Sequence, residues 1–202
     1  MTAALLVVMA VVGGANWWSR WRDDRRIELV TKPLFTVLAA VLCAVHGEGA
    51  PMVIALVGFA LCLGGDVALL PAVDRFIVGL GSFLAGHLAF IVAFVAVGLD
   101  SPWLGPIAAV VIFPVIAGPG RGILPASGKL KGPVTGYLVI ISAMAIVAWA
   151  TGRPAAMIGA AAFVASDTIL GWGKFVGERR WTPVAVMVTY HAALTALALS
   201  FG

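Results

Sequence analysis

Residues 76–98 read FIVGLGSFLAGHLAFIVAFVAVG, an apolar stretch that contains no Asp, Glu, Lys or Arg. A helix needs about 20 apolar residues to cross the hydrocarbon core of a bilayer, and this stretch is long enough. Seven further apolar segments lie on either side of it, at residues 2–18, 32–47, 51–70, 103–119, 133–151, 154–174 and 182–201. The sequence therefore predicts an all-α polytopic membrane protein whose eight transmembrane helices form one domain over residues 1–202.

The composition of the whole chain agrees with this prediction. Of its 202 residues 62% are hydrophobic and only 11% are charged, whereas a soluble domain carries about 25% charged residues. These values exclude a soluble globular enzyme and a disordered chain. The net charge of +4 does not indicate a nucleic-acid binder, because the basic residues form short clusters between apolar segments.

The basic residues also predict how the chain is oriented. Twelve of the 13 Lys and Arg residues lie in or beside the loops that follow the first, third, fifth and seventh segments, and only Arg153 lies on the other side. Because cytoplasmic loops are rich in Lys and Arg, we expect both termini on the non-cytoplasmic side of the cell membrane. The charged run RWRDDRR at residues 20–26 is expected to be a solvated loop.

A weak internal repeat relates the third and seventh segments. Residues 58–66 read GFALCLGGD and residues 159–167 read GAAAFVASD, so each segment has Gly eight residues before Asp. Lys32 and His87 flank the first motif as Lys131 and His191 flank the second, which suggests that spans 2–4 repeat as spans 6–8. Because the two copies lie four helices apart, they would form a parallel repeat about an axis along the membrane normal. This arrangement predicts that Asp66 and Asp167 face each other at similar depth.

Asp66 and Asp167 are the only acidic residues inside the predicted spans. A rise of 1.5 Å per residue places both carboxyl groups roughly two helical turns below the cytoplasmic surface. An ionisable side chain in the membrane costs a few kcal/mol and usually faces a cavity or a partner, so it indicates a functional site by default. The alternative is a structural role, in which the acids pair with Lys32 or Lys131 or join helices by hydrogen bonds.

Seven further polar residues in or beside the spans are candidates to act with the two acids: Lys32, Lys131, Tyr137, Ser166, Tyr190, His87 and His191. The lysines suit a lipid phosphate, although orientation and snorkelling explain them equally. The hydroxyl and imidazole groups suit hydrogen bonds to acids, water or substrate, or simply between helices. His and Asp are also metal-ligand types, but no paired spacing such as HxxxH supports a metal site, and we expect no cofactor.

Several short motifs, in this order and spacing, resemble the YhhN-like family of eight-span membrane proteins, which includes the lysoplasmalogenases. They are KPL at 32–34, GDVALL at 65–70, FxxxLxSFLxxH at 76–87, SD at 166–167 with Phe175 downstream, and TYH at 189–191. The resemblance runs from about residue 31 to the C-terminus. One position departs from the family, since its members tend to carry Gln where this chain has Leu194.

The resemblance implies hydrolysis of the vinyl ether bond of a lysoplasmalogen, which releases a fatty aldehyde and a glycerophospho-alcohol. The substrate would then be a lysophospholipid, with membrane lipid as surroundings and no nucleic-acid partner. Asp66 and Asp167 are expected to share the acid and base work. Lys32 is the first choice for the headgroup phosphate and Lys131 the second, while the Tyr, Ser and His candidates orient the acids, water or substrate.

The residues suit this chemistry independently of the family. A vinyl ether hydrolyses by protonation of its β-carbon, and water then captures the resulting oxocarbenium ion. One protonated carboxyl and one carboxylate meet that requirement, as they do in glycosidases. Two other functions remain open on spacing alone, a proton-coupled transporter and a non-catalytic lipid-binding protein.

Overall fold

A computed structural model describes residues 1–202 and contains eight long helices and no strand. The helices are α1 (Thr2–Arg22), α2 (Arg25–His46), α3 (Gly49–Ala68), α4 (Phe76–Val97), α5 (Leu104–Ala126), α6 (Lys131–Ala150), α7 (Pro154–Phe175) and α8 (Thr182–Ala198). Short 3-10 turns precede α6 and follow α8. Together with these turns, all eight are long and apolar enough to cross a membrane. The prediction of an all-α polytopic membrane protein is confirmed.

The junction between the first two helices corrects one expectation. The charged run at residues 20–26 is not a solvated loop, because α1 continues to Arg22 and α2 begins at Arg25. Asp23 ends α1 in the left-handed conformation, with φ of 56°. The Asp24 side chain accepts hydrogen bonds from the backbone N–H groups of the second and third residues of α2. These two acids cap both helices, which explains how the junction needs only two residues.

The fifth helix is longer than the sequence predicts. The predicted span ends at Pro119, but α5 continues to Ala126 and contains Pro114, Pro119 and Pro125. Proline removes one backbone hydrogen bond and favours a helix end in water. In a transmembrane helix it is tolerated, because neighbouring helices and local adjustments satisfy the freed backbone groups. The extra two turns place Arg121 on the helix rather than in a loop.

The helices pack as two similar halves. The hairpins α3–α4 and α7–α8 make the most extensive contacts, α2 packs against α8, and α6 packs against α4. The outer helices differ, since α1 lies against α2 and α8 whereas α5 lies against α6 and α7. One buried apolar cluster contains residues from all eight helices. Large apolar side chains such as Val110, Phe113 and Ile158 are exposed on the outer surface, where lipid would cover them.

Gly58 and Gly159, the glycines that begin the repeated motif, lie at helix contacts. A methyl group at Gly58 would stand 2.8 Å from the Phe90 ring, where α3 meets α4. One at Gly159 would stand 2.9 Å from the backbone nitrogen of Leu197, where α7 meets α8. Small residues let transmembrane helices approach closely. The two glycines thus serve the same purpose in both hairpins, which agrees with the predicted parallel repeat.

Candidate functional site

Asp66 of α3 and Asp167 of α7 line the same cavity, which has a volume of about 380 Å³ and is bounded by α1, α2, α3, α4, α7 and α8. We call it the acid cavity. Charged side chains from helix ends and turns also line it: Arg20, Glu28, Asp74, Lys174 and Glu178. All of these belong to the end of the bundle where α1, α3, α5 and α7 finish, which we call the basic end. The two intramembrane acids therefore meet in one pocket near this end.

Asp66 is held by polar groups from two other helices. Its side chain is 0% exposed, so the carboxyl lies behind the cavity surface. Its Oδ2 atom accepts hydrogen bonds from Thr36 on α2 and from Tyr190 on α8, the latter at 2.9 Å. Lys32 Nζ lies 3.7 Å from the Oδ1 atom and forms a buried ion pair with the acid. A cation and two hydroxyl donors are surroundings that stabilise an ionised carboxylate.

Asp167 has fewer partners and is more accessible. It is half-buried, its Oδ2 atom accepts a hydrogen bond from Tyr137 on α6, and no ammonium or guanidinium group pairs with it. It also lines a second, mostly apolar cavity of about 40 Å³ that includes Tyr137, Phe83 and Leu138. Asp167 thus lies between a charged cavity and a small apolar one, without a cation beside it.

The hydrogen bonds of the two acids follow the repeat. Thr36 lies 30 residues before Asp66, and Tyr137 lies 30 residues before Asp167. Corresponding positions on α2 and α6 therefore donate to corresponding acids on α3 and α7. This agreement supports the predicted relation between spans 2–4 and spans 6–8.

The two predicted histidines lie away from the acid cavity. His87 is fully buried, and its ring packs edge-on against Phe163 and Tyr137. His191 accepts a hydrogen bond at 3.0 Å from Trp17 Nε1 and stacks on Phe35, with ring centroids 3.7 Å apart. Neither imidazole lines the cavity. The structure therefore places both histidines in helix packing, and no group of three His, Cys, Asp or Glu side chains is arranged to hold a metal ion.

The remaining candidates divide between two places. Lys32, Ser166 and Tyr190 line the acid cavity, and the Ser166 hydroxyl donates to the backbone carbonyl of Val186. Lys131 lies elsewhere, in a groove between α5 and α6. Its position differs from that of Lys32 because it precedes Asp167 by 36 residues, whereas Lys32 precedes Asp66 by 34. At 3.6 residues per turn, two residues rotate a side chain about 200° around the helix.

Sequence reasoning missed two residues of α2 beside the acid cavity. Thr36 hydrogen-bonds Asp66, and the buried Glu28 forms an ion pair with Arg20 of α1. Both could be found from spacing, because residues 28, 32 and 36 recur every four positions and share one face of a helix. That signal depends on starting α2 at Arg25, ahead of the apolar run.

The chain matches the YhhN family over residues 27–201. It is 37% identical over 127 residues to the lysoplasmalogenases of Mycobacterium bovis and Mycobacterium tuberculosis, covering 58% of this chain and 48% of each relative. The matched part thus spans about half the length of these curated relatives. No solved structure matches the chain.

Proposed function

Because the chain belongs to the YhhN family, we propose that it hydrolyses the vinyl ether bond of a lysoplasmalogen-type lysophospholipid. The products are a fatty aldehyde and a glycerophospho-alcohol. The observation that carries this proposal is that two carboxyl groups with different partners line one cavity of a membrane protein. The names of the two mycobacterial relatives agree with it.

The reaction begins with protonation of a carbon atom of the substrate. Asp167, which has no cation beside it, donates a proton to the β-carbon of the vinyl ether, and the α-carbon becomes part of an oxocarbenium ion. Asp66, held as a carboxylate by Lys32, Thr36 and Tyr190, stabilises this cation. The two carboxyl groups have the complementary protonation states that a glycosidase uses for a related cation.

Water completes the reaction. A water molecule adds to the α-carbon and gives one proton to a carboxylate, which forms a hemiacetal. Asp66, whose Oδ1 atom faces Lys32 and accepts no hydrogen bond, takes that proton. The hemiacetal then gives its hydroxyl proton to the Asp167 carboxylate, the bond to the glycerol oxygen breaks, and that oxygen takes the proton held by Asp66, so both acids return to their starting states. The sum is one water consumed and one ether bond cleaved.

The charged part of the acid cavity suits the headgroup. Lys32 has three N–H donors, so it can contact a phosphate oxygen while it pairs with Asp66. Asp74 and Glu178 also line this cavity and complement the ammonium of an ethanolamine or choline group. We place the basic end at the cytoplasmic face, since it carries most of the Lys and Arg residues. The cavity then opens towards the cytoplasmic leaflet.

The test uses purified protein in detergent with a 1-alkenyl lysophosphoethanolamine. Wild-type protein and the control Asp100→Asn, which removes an exposed carboxyl far from the cavity, should both release aldehyde. In D₂O the aldehyde should carry one deuterium on the carbon next to the carbonyl group. If no aldehyde is released and the protein instead supports gradient-dependent uptake of lipid or solute into liposomes, the protein is a transporter and the proposed hydrolase function is wrong.

A further inference from the structure

A groove with a volume of about 870 Å³ lies on the outer surface between α5 and α6. Its walls are mainly apolar and include Ile112, Ile116 and Ile146. Two hydroxyl groups in the wall, those of Thr135 and Ser142, donate to backbone carbonyls of their own helix. The length of the groove therefore presents an apolar surface suited to an alkyl chain.

Two cations lie at the basic end of this groove. Arg121 comes from the last turns of α5, and Lys131 is the first residue of α6. Both are exposed, and neither pairs with an acidic side chain. The first half of the molecule differs at the corresponding place, because Arg20 pairs with Glu28, whereas the residue 101 positions after Glu28 is Lys129. Unpaired positive charge above an apolar groove complements a phosphate carrying an alkyl chain.

The groove adjoins the catalytic region through apolar residues. Leu138 of α6 lines both the groove and the small cavity of about 40 Å³. Asp167 lines both that small cavity and the acid cavity.

We propose that the groove between α5 and α6 is the site where a single-chain phospholipid enters from the bilayer, with its phosphate at Arg121 and Lys131. The chain lies along the groove, beside the Leu138 side chain that separates the groove from the small cavity next to Asp167. This inference rests on the proposed function, since it names the entry site of the same substrate. It assigns Lys131 a contact with the incoming lipid outside the acid cavity.

The first test measures binding without hydrolysis. A lysophosphoethanolamine with a saturated ether chain is added to purified protein, and retained lipid is measured by native mass spectrometry. Arg121→Gln/Lys131→Gln should bind at least about tenfold more weakly than wild type. Lys129→Gln, which removes a nearby charge outside the groove, should bind like wild type. Equal affinity in all three proteins, or a dimer mass with no retained lipid, would overturn the proposal.

The second test fills the groove. Ala143→Phe places a ring in its wall, while Ala10→Phe adds the same ring on the exposed surface of α1. Ala143→Phe should lower kcat/KM for the vinyl ether lipid by about tenfold through KM, and Ala10→Phe should not. Unchanged kcat/KM with intact hydrolysis would refute the entry site and leave the function standing. Absence of aldehyde from every protein would refute the proposed function. The binding test would then still show whether the lipid binds in the groove.

Discussion

Asp66 and Asp167 occupy corresponding positions in two similar halves, yet their surroundings differ. Each accepts a hydrogen bond from a hydroxyl group 30 residues earlier in the chain. Asp66 has in addition the ammonium of Lys32 and the hydroxyl of Tyr190, and it is fully buried. Asp167 has neither and is half-buried. A near-symmetric pair of helices has thus acquired two chemically different carboxyl groups.

The difference arises from single residues rather than from the architecture. The position on α6 that corresponds to Lys32 on α2 is Pro133, which carries no charge. Changing a few side chains around a repeated scaffold is therefore enough to separate a carboxylate from a proton donor.

Removal of either acid should have the largest effect. Asp66→Asn and Asp167→Asn should each lower kcat for aldehyde release by about 10²–10⁴-fold, because a positioned acid or base contributes about that much. If the two groups act as one unit, kcat of the double variant should be about equal to that of the less active single variant. Steady-state kinetics on folded protein checks this, with Asp100→Asn as control. Retention of most activity in either single variant would contradict the assignment.

Removal of the cation beside Asp66 should lower stability as well as activity. Lys32→Met leaves a buried carboxylate unpaired, so it should lower the free energy of unfolding by about 3 kcal/mol. The double variant Lys32→Met/Asp66→Asn should recover much of that loss, because it buries no charge. Lys131→Met, in the groove, should cost less than about 1 kcal/mol. The free energy of unfolding of both variants is measured in detergent. Equal losses for Lys32→Met and Lys131→Met would show that the ion pair between Lys32 and Asp66 does not stabilise the protein.

The close helix contacts provide a test of the repeat. Gly159→Ala should destabilise the protein by about 1–3 kcal/mol, because the added methyl meets the backbone of α8, which cannot turn aside. Gly58→Ala should cost somewhat less, since it meets a side-chain ring. Gly136→Ala, which meets nothing within 4 Å, is the matched control. A stable Gly159→Ala protein would argue against equivalent packing of the two hairpins.

The hydroxyl groups should give the smallest effects and should still separate the two acids. Tyr137→Phe removes the one hydrogen bond found on Asp167 and should lower kcat about tenfold. Tyr190→Phe leaves Thr36 and Lys32 on Asp66 and should lower kcat less. Comparing kcat for the two variants checks this order. A larger loss for Tyr190→Phe would reverse the proposed contrast between the acids.

The apolar segments predict eight helices and the all-α membrane fold, and the predicted meeting of Asp66 and Asp167 agrees with the one cavity that both line. Depth along a helix can be counted from sequence, but the direction in which a side chain points is harder to obtain. His87 and His191 lie within spans as predicted and yet face packed side chains rather than the cavity. An error of two residues in the alignment of the halves likewise makes Lys131 look like a partner of Lys32.

The residue at which a helix begins is also hard to predict from sequence. Hydropathy begins the second span at Lys32, because it counts Arg25, Arg26 and Glu28 as loop residues. In the folded chain the ion pair between Arg20 and Glu28 permits these charged turns to remain helical beside the cavity. An ion pair between two helices is a tertiary contact, and it cannot be predicted from composition alone.

The most direct test of the account is the infrared spectrum of the purified protein in the region of protonated carboxyl groups. A band from a buried, protonated carboxyl group should be present in wild type, retained in Asp66→Asn and lost in Asp167→Asn. A band that disappears with Asp66→Asn and persists in Asp167→Asn would contradict the roles assigned to the two acids.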